Sequence, residues 1–135
     1  SRLQLRSPPL AKHFIAATIS ASINGRPIKI AAVATPGTTI HTATSSTTLD
    51  SIDEVYLWAG NTSGAAANLT VYLGTYLSHQ ASGILYRVPA GHNGPIPILP
   101  GLRMMGGEVL TATASALDAI NVWGNINRIG GQTTS

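Results

Sequence analysis

The stretch Asp53–Gly74 reads DEVYLWAGNTSGAAANLTVYLG, and in it apolar residues recur at every second position. Val55, Leu57 and Ala59 fall on one face of an extended chain, with Tyr56 and Trp58 on the other. Leu69, Val71 and Leu73 alternate likewise with Thr70 and Tyr72. Successive side chains of a strand point to opposite faces, so this period predicts two half-buried β-strands. The Gly, Asn, Ser and Ala residues between them predict a connecting tip, with the two strands paired as a hairpin. Asn61-Thr62-Ser63 and Asn68-Leu69-Thr70 have the form of glycan acceptors, which matter only in a secreted chain.

The same punctuation runs through the rest of the chain. Asn24-Gly25 stands between the β-branched runs Phe14–Ile23 and Ile28–Thr35. A type I′ turn needs positive φ at both central residues, so Asn-Gly predicts a hairpin there. Pro27 suits the start of the return strand, and Pro36-Gly37 marks its end. Further strands are expected at Ile40–Ala43, Gly83–Val88, Ile96–Leu99, Glu108–Ser115 and Ala119–Ile126. The Ala-rich segment LTATASALDA invites a helix, but Leu110, Ala112 and Ala114 alternate with Thr111, Thr113 and Ser115. Strand through about Ser115 fits better. Eight or so short strands with turn residues between them predict an all-β, single-domain antiparallel β-sandwich of jelly-roll type. The strands at Val109–Ala114 and Ile120–Ile126 lack charge on either face, as expected of strands covered on both sides. Residues 1–13, with Pro8-Pro9, read as an extended arm, and 14–135 as the sandwich domain.

Charge then narrows the function. Of 135 residues only 10% are charged while 44% are apolar, against about 25% charged in ordinary soluble domains. Such a surface is poorly defended against association, which points to a subunit covered by copies or partners. The balance is uneven along the chain. Arg2, Arg6, Lys12, Arg26 and Lys29 precede the first acid, Asp50, whereas five acids face only Arg87, Arg103 and Arg128 afterwards. A basic leading arm predicts docking on something acidic. Its cations are sparse and interleaved with Leu3, Leu5, Leu10, Phe14 and Ile15. That pattern suits a protein surface better than the dense phosphate contacts of a nucleic-acid arm. No run is long enough to span a membrane as a helix, so no membrane partner is expected. With no cysteine there is neither a disulfide framework nor a thiolate metal site.

No reactive constellation stands out. His13, His41, His79 and His92 are scattered, which predicts structural or surface roles. Asp50, Asp53 and Glu54 form the one acid cluster, but Asp53 and Glu54 are adjacent on a strand and point apart. Asp50 with Asp53 is expected to cap a turn. The Gly-rich stretches lack the Lys of a phosphate loop, and no G-x-S-x-G occurs. Tyr56 and Trp58 with Tyr72 could form a stacking platform for a sugar on one face of the expected hairpin, although burial against a neighbouring sheet or subunit is the preferred reading. No catalytic residue, metal site or cofactor is expected.

Two blocks carry a resemblance. IHTATSSTTLDSIDEVYLWAGNTSGAAANLTVYLG from Ile40, and the later ILPGLRMMGGEVLTATASALDAINVWGNINRI, resemble small virion proteins of tailed bacteriophages. The shared features are the Ile40-His41-Thr42-Ala43 opening, the acidic strand Asp53–Asn61, Leu69–Gly74, the Pro100-Gly101 turn and the closing Gly124–Ile129. They cover about two-thirds of the chain and are β-structural rather than catalytic. The resemblance implies a capsid decoration (cement) protein, made in the host cytoplasm and found on the virion surface. It also implies a homotrimer lying over junctions of the major capsid protein, with no direct nucleic-acid contact. On that reading Arg2, Leu3, Leu5, Arg6, Lys12 and Phe14 supply the capsid-gripping arm, with Arg26 and Lys29 as second contacts. The alternatives are a neck, tail or baseplate component and, from another class, a carbohydrate-binding sandwich using Tyr56, Trp58 and Tyr72.

Overall fold

The computed structural model describes residues 13–48, 51–74, 83–91 and 94–130. These residues form nine strands: β1 His13–Thr18, β2 Ile28–Lys29, β3 Thr38–Thr42, β4 Ser51–Asn61, β5 Ala67–Leu73, β6 Gly83–Val88, β7 Ile96–Met104, β8 Val109–Ala114 and β9 Ile120–Gly130. The first sheet has the order β1-β9-β4-β7, with β2 continuing beside β9 where β1 leaves off. The second has the order β3-β8-β5-β6, and every pairing is antiparallel.

This order is a jelly roll. The pairs β1–β9, β3–β8, β4–β7 and β5–β6 are those of one long folded-back ribbon. Rolling the ribbon up brings β9 against β4 and β8 against β5, which sets the five-stranded first sheet face to face with the four-stranded second. The all-β sandwich expected from the alternation is therefore the fold. The extended arm of that expectation falls on residues outside the described ones, apart from His13, which already pairs with Gly130 in the β1–β9 ladder.

Connectivity differs from the expected hairpins at two places. β4 and β5 do not pair: β4 lies between β9 and β7 in the first sheet, and β5 between β8 and β6 in the second. Residues 62–66 are thus a crossing between layers and not a hairpin tip. The period of two places side chains on faces, but it says nothing about which strand lies alongside. At Asn24-Gly25 the turn is as expected, with φ of 55° and 84° and the Arg26 N–H donating to Ile23 O at 3.0 Å. Yet β1 stops at Thr18, and β2 is only two residues long and pairs with β9 instead of β1. The turn sits at the end of an excursion, and β9 supplies the long ladder that both short strands use.

The inward rows build the core. Val55, Leu57 and Ala59 of β4 pack with Leu69 and Val71 of β5, Leu110 and Ala112 of β8, and Val122 and Ile126 of β9. Each buried Val, Leu or Ile contributes about 1.5–3 kcal/mol. β4 and β9 approach so closely at Gly124 that an added Cβ would stand 1.9 Å from Tyr56 O, so only glycine fits. β8 is buried on both sides, including Thr111 and Thr113 of its outer row, whereas β9 leaves Asn125 of its outer row exposed. The segment Ser115–Ala119 is a turn with Asp118 at φ 55°, and no helix forms there.

Candidate assembly surface

β1 is where the sandwich fails to close. From Phe14 to Thr18 every side chain is exposed, although alternate ones point to opposite faces of the sheet. Phe14 is 71% exposed and Ile15 57%. Ile15 lies in register with Arg128, on the row that faces the second sheet, and Phe14 lies in register with Ile129 on the outer row. The chain enters the core only at Ile19, which is 1% exposed. There it meets β3, with the Ala21 N–H donating to Ile40 O at 3.1 Å. β1 is thus held by its main-chain ladder with β9, while its side chains from Phe14 to Thr18 are offered to solvent on both faces. On the outer face Phe14, Ile129 and Ile52 line up across β1, β9 and β4, giving an uncharged apolar row.

Edge strands are usually protected by charge, proline, bulges or shortness. β7 carries Pro97, Pro100 and Arg103, with two register shifts against β4. β3 has five residues and a shift between Thr39 and His41. β1 is almost as short as β3 but has no charge, proline or register shift over Phe14–Thr18. β6, the last edge, exposes Ile84 and Leu85, with Leu85 at 64%. Its Arg87 donates to Asn68 Oδ1 at 3.2 Å.

Next to the open edge lies a polar staple between the sheets. Asp53 is fully buried on the inward row of β4. Its Oδ1 accepts from Arg128 Nε at 2.6 Å, and its Oδ2 accepts from Arg128 Nη2 at 2.9 Å. The same Oδ2 also accepts from the Thr44 N–H at 2.9 Å and meets His41 Nε2 at 2.8 Å. The other ring nitrogen, Nδ1, accepts the Ser20 N–H at 3.0 Å, which fixes the Nε2–H tautomer with that proton toward Asp53. Burial alone would raise the Asp53 carboxyl. The Arg128, His41 and Thr44 hydrogen bonds outweigh it and hold the group below the ordinary carboxylate value.

Ser, His and Asp thus meet, but not as a nucleophile with its base. Ser20 touches the ring through its main-chain N–H, and its Oγ accepts from Thr42 N at 2.7 Å. His41 is 1% exposed and its Nδ1 lone pair is occupied, so it has nothing with which to take a proton from a hydroxyl. The cluster fastens β3, β4, β9 and the end of the β1 excursion together. The structural role expected for His41 holds. Asp53, expected to cap a turn with Asp50, instead pairs with Arg128 and His41, because its face of β4 is buried; Asp50 lies outside the described residues. The signal was present in the alternation, which puts Asp53 on the Val55–Leu57–Ala59 face, where an acid needs a partner.

The aromatic platform is split by the same crossing that separates β4 from β5. Tyr56 and Trp58 lie on the outer face of the first sheet and Tyr72 on the outer face of the second, so the three do not share a surface. Tyr56 donates its hydroxyl to Glu54 at 2.6 Å, and Arg103 Nε reaches the same carboxylate at 3.3 Å. Two aromatics lie over glycines: an added Cβ would meet Trp123 at 3.0 Å from Gly60 and Tyr72 at 3.1 Å from Gly83. Trp58 is in register with Trp123 and 37% exposed. Beside Trp123 a shallow hollow of about 190 Å³ is lined by Gly60, Thr62, Asn121 and Pro95, with no ionisable group among the described residues that line it.

The remaining expected contacts are placed unevenly. Arg26 and Lys29 are exposed on the same lateral edge as β1, with Lys29 in register with Asn121 of β9. Phe14 belongs to the β1 ladder and not to an arm. Arg2, Leu3, Leu5, Arg6 and Lys12 lie outside the described residues, as do His79 and His92. Asn61 is 3% exposed; its amide donates to Ala65 O and Val88 O, and its Oδ1 accepts from Ser63. In the folded chain it organises the crossing loop and is closed to a glycan. Among the described residues no three His, Asp or Glu side chains group as metal ligands. No helix among them is long and apolar enough to cross a membrane. Compared with known protein families and with curated proteins, the sequence matches none.

Proposed function

We propose that this chain is a non-enzymatic structural protein of a virion. In this reading it binds the outer surface of a phage capsid as a homo-oligomer, a trimer by expectation, and stabilises it. The observation that carries the reading is the Phe14–Thr18 stretch of β1, uncharged and exposed on both faces at the edge of an otherwise well-packed sandwich. An exposed strand without protecting charge is an aggregation hazard in a monomer and an asset in a subunit. The polar cluster points the same way, because the buried His41 and Asp53, with the half-exposed Arg128, serve to join the sheets. Jelly rolls serve as capsid domains, lectins and cupins, so the fold alone does not choose among them. The block resemblance to phage virion proteins, the scarcity of charge and the basic leading segment favour the capsid. On this reading Arg2, Arg6 and Lys12 steer capture, Arg26 and Lys29 add charge beside the edge, and many symmetry-related sites supply avidity.

Heads assembled from the major capsid protein of the same virion, but lacking this chain, provide the test. The full chain should co-sediment with them and raise their resistance to heat. Removing residues 1–12 should abolish binding while leaving the circular dichroism of the sandwich unchanged. Undiminished co-sedimentation of the truncated chain would refute the arm's role, and absence of binding by the full chain would refute the reading as a whole.

A further inference from the structure

The two edges that expose large apolar side chains, β1 and β6, lie on opposite sides of the molecule. β1 ends the first sheet beside β3, to which Ser20 and Ala21 are bonded. β6 ends the second sheet beside β7, where the Tyr86 hydroxyl donates to Ile98 O. We propose that β1 of one copy pairs with β6 of a second copy, so that the first sheet of each subunit runs into the second sheet of the next and the subunits close into a ring. This deepens the assembly reading above, since it takes the oligomer of that reading and assigns its contact.

Three features single out a second copy as the occupant. Among the described residues each is paired on one side only, which leaves a row of main-chain donors and acceptors on the other. Neither contains an acid or a proline, so no like charges are opposed and no donor is missing. The side chains also match by face. On β1, Ile15 points inward and Phe14 outward; on β6, Ile84 is in register with Val71 of the core row and Leu85 with Thr70 of the outer row. Each edge therefore offers one large apolar side chain to each face, and pairing covers both faces of both strands together. Main-chain bonds would give affinity and the apolar pairs register.

A two-fold β1–β1 contact would leave Ile84 and Leu85 uncovered. A head-to-tail contact covers both edges and generates a ring when its rotation closes. Three copies is the number the capsid reading expects. Neither Ile15 nor Leu85 is buried in the subunit, so changing either leaves the core intact.

The experiment is the solution mass of the full chain, without particles, by light scattering and sedimentation at about 1–100 µM. Wild type should assemble into a closed ring. Ile15→Glu and Leu85→Glu should each be folded by circular dichroism, yet each should weaken association at least about thirty-fold, as loss of a central contact does. Mixed together, the two variants should form a 1:1 complex, since the intact β6 of one meets the intact β1 of the other. A monomeric wild type, an unaffected Leu85→Glu or a mixture that stays monomeric would each overturn the proposal. Particle binding separates the two readings. A chain that forms the ring but never binds heads refutes the capsid reading alone, and one that binds heads without edge pairing refutes the ring alone.

Discussion

β4 and β1 belong to the same sheet and both pair with β9, yet they are opposites. β4 is eleven residues long and flanked on both sides, and its inward row from Asp53 to Asn61 is buried throughout. Among the described residues β1 is flanked on one side only, and none of its side chains from Phe14 to Thr18 is buried. The difference teaches that a strand's apolar content does not say where its free energy is spent. Val55 and Leu57 stabilise the subunit. Phe14 and Ile15, equally apolar, leave most of their surface exposed, contribute less to it and are available for contact with another molecule.

Asp53→Ala should have the largest effect on the β4 side of that contrast. The substitution removes the acceptor of Arg128, His41 and Thr44 at once and leaves the buried His41 Nε2–H unpaired. Arg128 is 42% exposed and can rehydrate, but each buried donor left unpaired costs about 1–3 kcal/mol, and both the His41 Nε2–H and the Thr44 N–H lose their acceptor. Urea unfolding measures it, and a loss below about 1 kcal/mol would show that the staple does not hold the sheets. Leu57→Ala comes next. Leu57 is 1% exposed between β9 and β7, and truncation at such a site costs about 2–4 kcal/mol. The urea midpoint should fall while the slope stays unchanged.

The staple also predicts a smaller, pH-dependent effect. The Asp53 carboxyl titrates below its ordinary value of 3.8 in the folded chain. Its stabilisation is therefore fully present above the carboxylate range and is lost as pH falls through the depressed folded value. Urea midpoints measured from pH 7 down to pH 3 should drop in the acid limb. Asp53→Asn should be less stable at pH 7 and should lose less on acidification. Equal acid slopes for the two proteins would mean that other carboxylates, Glu54 among them, carry the dependence.

How much of this could be read in the sequence depends on the kind of information asked of it. Alternation at 53–59 and 109–114 is a property of neighbours along the chain, so strands, faces and the all-β class were legible. Pairing is a property of distant segments. Nothing local says that β4 will lie beside β9 and β7 while β5 joins the other sheet, and the expected hairpin failed for that reason. Asn24-Gly25 shows both sides: its turn is local and forms, and its strands find a better partner in the longer β9. The staple was half legible, because the face of Asp53 was given and Arg128, far along the chain, was not. The exposed state of Phe14 was hidden, since an apolar residue at an edge and one in a core are spelled alike.

The smallest predicted effect is the most informative about that contrast. Ile15→Ala removes a side chain that is 57% exposed and whose strand is held through the β1–β9 ladder. Truncating a side chain outside the core changes stability by less than about 0.5 kcal/mol. Leu57→Ala, a change of the same chemical size, should cost several times more. The two variants, measured side by side in urea at a concentration low enough to keep the subunits apart, should differ by at least about 1.5 kcal/mol. Raising the protein concentration should then separate them a second way. Wild type and Leu57→Ala gain apparent stability by mass action as subunits associate, whereas Ile15→Ala gains less because its edge is the contact. If Ile15→Ala proved as costly as Leu57→Ala under dilute conditions, β1 would be a core strand of the monomer, and its open faces could not be the surface on which copies meet.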